Sequence, residues 1–367
     1  MRVIMTGGGT GGHIYPAIAI ADKILEKTND SEILFIGAKH GMEKDIVPRH
    51  GYPIEFVPAS GFHRKNMLAN IKTVNDYLNG KKQAAKIVKE FRPDMVIGTG
   101  GYVSAPVIAA AASLGVPCYI HEANAYPGMS NRMLEKYCDK VFVGFEEAAK
   151  YFKKQEKIVV AGTPVRSEFF SVEKGEARRE LGIPEDDFVL LAFGGSLGAA
   201  RINKAMLTLV EKYNGMPGVQ VYFGTGSFYY DVILQELKDR GIDLRDNIHV
   251  TEYINNMQYY LSAADLVVSR SGALTCSEIN ICGKPAILIP SPNVTGDHQT
   301  FNAKALAESG GAVLMPEADL TGEVLLEAVE DLRNDRDKLD EMTKKSIERS
   351  SKDAADIIYY SVISQNY

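Results

Sequence analysis

Near the amino terminus, Thr6-Gly-Gly-Gly-Thr-Gly-Gly12 places five glycines in seven positions and is followed directly by His13. Glycine lets backbone N–H groups approach an anion, and a helix N-terminus adds a favourable dipole. An imidazole beside such a loop can take or give a proton near neutral pH. Val3, Ile4 and Met5 read as a short buried strand. Ile14, Ile18, Ile20, Ile24 and Leu25 keep a helical period, which predicts a helix beginning near His13 or Pro16. Proline is tolerated in a first helical turn, where its missing N–H costs nothing. Strand, glycine loop and helix together make an anion site.

Gly7, Gly9 and Gly12 also fit the G-x-G-x-x-G pattern of dinucleotide-binding folds. That pattern needs an acidic residue at the tip of the second strand to hold a ribose. Here the second strand, Ile33–Gly37, ends in Ala38-Lys39-His40, and Glu43 reads as too far along. The dinucleotide reading is therefore set aside.

Ligands of doubly wound folds sit beyond the carboxyl ends of strands. In the first half those positions hold Thr10, Gly11, Gly12 and His13, then Thr99 to Tyr102, then His121, Glu122, Ala123 and Asn124. In the second half they hold Gly195 and Ser196, Tyr253 and Ile254, Ser269 to Thr275, and Asn293 to Asn302. Gly272 at a helix start presents N–H groups to a phosphate, and Glu278, about two turns on, reaches toward ribose hydroxyls. Three structural alternatives stand beside these. Ser196 reads equally as a helix cap, Glu278 as a solvated helix carboxylate, and His13 as a residue that only orients the loop. No metal is expected. The only Asp-x-Asp, Asp335-Arg336-Asp337, lies in a charged helical region, and no His/Cys set has zinc spacing.

Strands and helices must alternate to place these residues. The strand readings are Val3–Met5, Ile33–Ile36, Ile54–Val57, Met95–Ile97, Cys118–Ile120, Val141–Val143 and Ile158–Ala161 in the first half. The second half gives Val189–Phe193, Val219–Phe223, Ile248–Val250, Leu266–Val268, Ala286–Ile289 and Ala312–Leu314. This α/β pattern predicts two Rossmann-like, doubly wound parallel-sheet domains facing a cleft. Thr163 to about Pro184 reads as a polar, irregular linker. The domains are 1–163 and 164–345, with a C-terminal helix over about 346–367 that packs back on the first. Two correspondences join the halves: Gly194-Gly-Ser-Leu-Gly-Ala199 echoes the first glycine loop, and Asp265 to Gly272 echoes Asp94 to Gly101.

Bulk composition narrows the class. A net charge of -6 argues against a general nucleic-acid binder. Four cysteines with no C-x-x-C pair fit a reducing compartment. The chain enters a strand and a glycine loop at once, leaving no room for a signal peptide. The uncharged run Val103 to Ile120 contains Ser113, Gly115 and Pro117, so it reads as a buried helix and a strand rather than a membrane span.

Six motifs together resemble one family. They are Gly7-Gly-Gly-Thr-Gly-Gly-His13, His121-Glu-Ala-Asn124, Gly162-Thr-Pro-Val-Arg166, Gly194-Gly-Ser-Leu-Gly-Ala199, Arg270-Ser-Gly-Ala-Leu-Thr-Cys-Ser-Glu278 and Asp297-His-Gln-Thr-Phe-Asn-Ala303. In order and spacing they resemble the MurG family of bacterial glycosyltransferases. That resemblance implies a GT-B fold and inverting, metal-independent transfer of N-acetylglucosamine from UDP-N-acetylglucosamine to the 4-hydroxyl of lipid I, giving lipid II for peptidoglycan. It places Thr10, Gly11, Gly12 and Asn124 on the donor sugar side, Arg166 and Ser196 at the diphosphate, and the backbone of Ile254 at the uracil. Ala273, Leu274, Thr275, Cys276, Ser277 and Glu278 would hold phosphate and ribose, and Gln299 the sugar hydroxyls. His13 is the expected base, with Glu122 in reserve. Two positions depart from the family pattern, Ala123 and His298, where glutamine is found in relatives. No cofactor is implied. The implied partners are an anionic membrane surface, on the cytoplasmic side of the cell membrane, and other cell-wall synthesis proteins.

A polyprenyl acceptor calls for membrane contact without crossing. The expected patch is Asn66 to Phe91, where Met67, Leu68, Ile71, Val74 and Leu78 keep helical spacing. Arg64, Lys65, Lys72, Lys81, Lys82, Lys86 and Lys89 supply positive charge. An amphipathic core helix with a solvated basic face is the alternative. For the whole chain the rivals are another GT-B UDP-sugar transferase acting on a lipid acceptor, a sugar-nucleotide epimerase, or a nucleotide-sugar or lipid-carrier binding protein.

Overall fold

The computed structural model describes residues 1–61 and 67–363, without the side chains of 67–69 and 295. The chain divides into two compact units, Met1–Arg166 with Ser351–Tyr367, and Ser167–Ser350. Runs of branched apolar residues between glycine turns become the strands. The first unit contains β1 (Arg2–Gly7), β2 (Glu32–Ala38), β3 (Ile54–Val57), β4 (Met95–Gly100), β5 (Cys118–Glu122), β6 (Lys140–Val143) and β7 (Ile158–Val160). They pair in the order β3-β2-β1-β4-β5-β6-β7. The second unit contains β8 (Phe188–Phe193), β9 (Val219–Gly224), β10 (Ile248–Thr251), β11 (Leu266–Ser269), β12 (Ala286–Leu288) and β13 (Ala312–Leu314), ordered β10-β9-β8-β11-β12-β13.

Every expected strand forms, and every pairing is parallel. Parallel sheets carry helices on both faces, which is why the strands read as unbroken apolar runs. Strand order reverses between β1 and β4, and again between β8 and β11. The loops leaving those four strands therefore flank the crevices where doubly wound sheets take their ligands.

Four local expectations are corrected. The helix after the first glycine loop is Gly11–Lys27, so it starts before His13. Thr10 O accepts from the backbone N–H of His13 (3.1 Å) and Ile14 (3.2 Å), closing a first turn over glycines that show no apolar period. The stretch read as irregular linker contains a helix, Lys174–Glu180. Its Arg178 is buried and donates to Asp265 (2.8 Å) and to Ala263 O (3.2 Å). A paired charge inside the second unit reads in sequence as a polar loop.

The tail is two helices rather than one, Arg336–Glu348 and Ala354–Ile363. Ile347 and Ile357, apolar positions in the helical pattern that the sequence shows over Asn334 to Tyr367, are 48% and 37% exposed. Ile358 and Val362 join the core beneath the helix Gly11–Lys27, and Tyr359 Oη lies 2.9 Å from Thr28 Oγ1. Residues 364–367 of the expected helix lie outside the described residues. The fourth correction, Glu43, belongs to the site. The run Val103 to Ile120 folds as the helix Ser104–Ser113 followed by β5, and no helix among the described residues is long and apolar enough to cross a membrane.

One buried charge gives stability a pH signature. Lys284 Nζ, 7% exposed as a residue, donates to Ser262 O (2.8 Å) and Ala264 O (3.1 Å) at the end of the helix Met257–Ala263. Burial pulls its pKa down to about 8 from an ordinary 10.5. The folded state then binds fewer protons than the unfolded one between those values, so this group's contribution to stability rises with pH across that window. Against Lys284→Met, the wild type should gain about 2 kcal/mol of unfolding free energy between pH 7 and pH 10. Parallel pH profiles in urea-melt stability would contradict the depressed lysine.

Candidate active site

In the first unit, the loops after β1 and β4 meet backbone to backbone. Gly101 has φ +82°, and a Cβ there would lie 2.3 Å from Gly8 O. Only glycine fits both the conformation and the approach. Gly8 N–H donates to Gly100 O (3.3 Å). Ser104 Oγ, fully buried, donates to Gly100 O (2.7 Å) and Thr6 O (3.1 Å), while Thr99 Oγ1 donates to His13 O (2.7 Å). These bonds fix the helix start that carries His13.

The His13 ring lies against Gly100, where a Cβ would come 2.8 Å from Cδ2 and 3.1 Å from Nε2. Its Nδ1 is 3.0 Å from Gly8 O and 3.3 Å from Thr10 Oγ1. A carbonyl only accepts, so Nδ1 carries the hydrogen in the neutral ring and Nε2 carries the lone pair. The ring is half-buried; Thr10 is exposed, and Gly11 and Gly12 are half-buried.

Glu122, the reserve base, is corrected by its surroundings. It is 2% exposed. Its Oε1 accepts from Asn124 N (2.9 Å) and Asn124 Nδ2 (3.0 Å), and its Oε2 from Gly128 N (2.9 Å) and Asn131 Nδ2 (2.9 Å). Four donors commit both oxygens to holding the loop after β5, so Glu122 positions Asn124 rather than receiving a proton. His121 is fully buried, and burial above all lowers its pKa. The neutral ring's Nε2 donates to Gly162 O (2.9 Å), which removes it from ligand contact. Arg166 lies with Cζ 4.8 Å above the Tyr15 ring, close in sequence to His13.

In the second unit, the helix Ala200–Tyr213 begins after N-cap Ala199, so Ser196 is not its cap. Ser196 is exposed in a tight turn closed by Gly198 N–H to Gly195 O (3.0 Å). Across the switch point, Gly272 caps the helix Ala273–Ile281. Cys276 N–H donates to Gly272 O (2.9 Å), so the first intrahelical bond starts only there. The N–H groups of Ala273, Leu274 and Thr275 precede that bond and are the natural anion donors.

The next two side chains turn away. Cys276 is fully buried, and burial pushes its thiol up to about 12. Ser277 Oγ donates to Ala273 O (3.0 Å). A ligand role for either rests on backbone alone. Glu278, further along the same helix, is half-buried rather than fully solvated. Ile254 is 8% exposed with its side chain against Gly224, so its backbone, not its side chain, is left to meet a base. Gln299 Oε1 accepts from Ser291 N (2.8 Å), and Gln299 O from Ser271 Oγ (2.8 Å). That orients the side-chain amide nitrogen as the donor. Arg270 is paired with Glu317 and donates to Ile289 O and Pro290 O (3.1 Å each), so it braces the loop.

Sequence reasoning missed Glu43. The chain folds back so that Glu43, fully buried, accepts from Gly9 N (2.8 Å) and Ala38 N (2.9 Å). The available signal was the glycine at 8, 37 and 41: a Cβ at any of the three would lie within 2.6 Å of this side chain. No group of three or more His, Cys, Asp or Glu able to hold a metal occurs among the described residues.

The chain matches the glycosyltransferase family 28 N-terminal domain over residues 3–143 and the family's C-terminal domain over residues 189–358. It is 46% identical over 348 residues to the UDP-N-acetylglucosamine–N-acetylmuramyl-(pentapeptide) pyrophosphoryl-undecaprenol N-acetylglucosamine transferase of Desulforamulus reducens, covering 94% of each chain. It superposes on the crystal structure of Acinetobacter baumannii MurG with a TM-score of 0.76 at 28% identity, over 97% of each chain. The UDP-GlcNAc 2-epimerase of Neisseria meningitidis shares the fold, with a TM-score of 0.70 at 16% identity over 99% of this chain and all of that one.

Proposed function

The chain belongs to glycosyltransferase family 28, within its MurG group, and on that premise we propose how its residues divide the work. The enzyme moves N-acetylglucosamine from UDP-N-acetylglucosamine to the 4-hydroxyl of the N-acetylmuramyl unit of lipid I. The product is lipid II for peptidoglycan synthesis. The observation that carries the mechanism is His13, held at a glycine loop with its Nδ1 on Gly8 O.

The acceptor hydroxyl must lose its proton as it attacks the anomeric carbon on the face opposite UDP. His13 Nε2 takes that proton, since the Gly8 carbonyl holds the ring in the tautomer with its lone pair there. The first unit binds the acceptor, whose diphosphate suits the glycine loop. Thr10, Gly11, Gly12 and Asn124 contact the donor sugar, and Glu122 keeps Asn124 in place. The second unit holds the nucleotide. N–H groups of Ala273 to Thr275, with Ser196 and with Arg166 of the first unit, offset the charge that grows on UDP as the bond breaks. Glu278 takes the ribose hydroxyls, Ile254 the uracil through its backbone, and Gln299 the sugar hydroxyls. A short-chain lipid I analogue tests the reading. UDP release should match formation of a product heavier by one N-acetylglucosamine, whereas release of UDP with no heavier product would contradict it.

We infer that the acceptor's polyprenyl tail brings the enzyme to the membrane as a peripheral protein, and that it works on the cytoplasmic face of the cell membrane. Of the expected patch, Arg64, Lys65 and Asn66 lie outside the described residues, as do the side chains of Met67 and Leu68. In the helix Met67–Phe91, Ile71, Val74 and Leu78 are 69%, 48% and 59% exposed, while Ala84, Ile87 and Val88 enter the core. An ordinary core helix would bury the first three as well. Lys72 and Lys82 are exposed and Lys81 half-buried on the same helix, giving the apolar-plus-basic chemistry of an anionic lipid surface. Liposome pelleting should rise with anionic lipid and fall with salt, because such attraction is screened over about 8–10 Å. Reversing charge at Lys72, Lys81 and Lys82 should weaken it. Binding indifferent to lipid charge and to these changes would refute the patch.

A further inference from the structure

We propose that Glu43 is a positioning residue for His13, acting through the single peptide bond between Gly8 and Gly9. That peptide is bonded at both ends. Its N–H donates to Glu43 Oε2 (2.8 Å), and its C=O accepts from His13 Nδ1 (3.0 Å). A carboxylate on the N–H side polarises the amide and makes its oxygen a stronger acceptor. The result is a carboxylate–peptide–imidazole relay. It fixes the ring tautomer and favours the protonated ring, as an Asp beside a catalytic histidine does directly.

The site for this carboxylate is built into the chain. Glu43 is fully buried in the helix Glu43–Arg49, and its other oxygen accepts from Ala38 N (2.9 Å) at the end of β2. A Cβ at Gly8, Gly37 or Gly41 would fall 2.2, 2.6 or 2.0 Å from atoms of its side chain. None of those three glycines has a positive φ, so space for the carboxylate, not backbone conformation, is what requires glycine there. A loop brace alone needs one acceptor for Gly9 N–H. Here two oxygens accept two N–H groups, and a glutamine would turn its NH2 toward one of those donors.

Among the described residues, other groups also lie near His13. His121, from β5, is buried beside Glu122; burial is the main force keeping it neutral, and its neighbour His13 pushes the same way. Arg166 lies over the Tyr15 ring. Thr10 Oγ1, Thr99 and Gly100 bring no charge to the ring.

The proposal rests on His13 being the base, and the experiment separates the two. In the full-length enzyme with 15N-labelled histidine, the His13 signal is identified by its loss in His13→Ala. The neutral wild-type ring should carry its hydrogen on Nδ1. In Glu43→Gln, the His13 titration midpoint and the acidic limb of kcat should both move down by roughly half a pH unit. kcat at neutral pH should fall by up to about threefold, the most that half a unit of lost basicity gives, with donor KM unchanged. A wild-type ring protonated on Nε2 overturns the relay, and needs no variant to fold. An unmoved midpoint in folded Glu43→Gln overturns it as well. If the midpoint moves while His13→Ala keeps its kcat, the relay stands and the base assignment falls.

Discussion

His13→Ala lowers kcat by at least ~10², with UDP affinity little changed and the acidic limb of the kcat profile flattened. General-base assistance is typically worth ~10²–10⁴ in rate, and the chain offers few other bases at the first switch point. Glu122 is committed to four donors, and His121 is buried and bonded to Gly162 O. Among the described residues, neither of these is placed to replace the imidazole as acceptor of the proton. The variant should fold, because the loop's own bonds, Gly8 N–H to Gly100 O and Ser104 to Thr6 O and Gly100 O, do not involve the ring. Steady-state kinetics across pH make the check. A variant that keeps its kcat but loses acceptor or donor binding would make His13 a shaper of the loop.

Glu278→Ala raises donor KM strongly while leaving kcat less affected. A charged hydrogen bond contributes ~1.5–3 kcal/mol, or roughly ten- to a hundredfold in affinity. Glu278 stands on the helix whose first turn offers Ala273, Leu274 and Thr275 N–H groups. In the proposed site, ribose hydroxyls and phosphate would thus meet one rigid element. Loss of the carboxylate removes binding common to ground and transition state, which appears in KM. An unchanged donor KM would take Glu278 off the ribose.

The sheets were legible because parallel strands buried on both faces leave apolar runs, and Ile54–Val57 and Ala312–Leu314 were read to the residue. The switch points were legible too, since Gly7–Gly12 and Arg270–Gly272 sit where strand, loop and helix follow one another. What was not legible depended on partners distant in the fold. Glu43 looked remote from the second strand tip until its helix turned the carboxylate under Gly9. Arg178 looked like linker until Asp265 paired with it. Glu122 looked like a spare base until Asn124, Gly128 and Asn131 closed around it. Cys276 belonged to a binding motif by position, but the helix period turns its thiol into the core. Ile347 and Ile357 kept an apolar pattern in sequence, yet both lie at the surface, on separate helices.

In the proposed mechanism the two units divide the labour, with the nucleotide held by the second and the proton taken in the first. Calorimetric titration of UDP into the wild type, His13→Ala and Glu278→Ala distinguishes the two roles. UDP affinity should be the same for the wild type and His13→Ala, and weaker by roughly ten- to a hundredfold for Glu278→Ala. UDP bound normally by Glu278→Ala but weakly by His13→Ala would contradict the assignment of both residues.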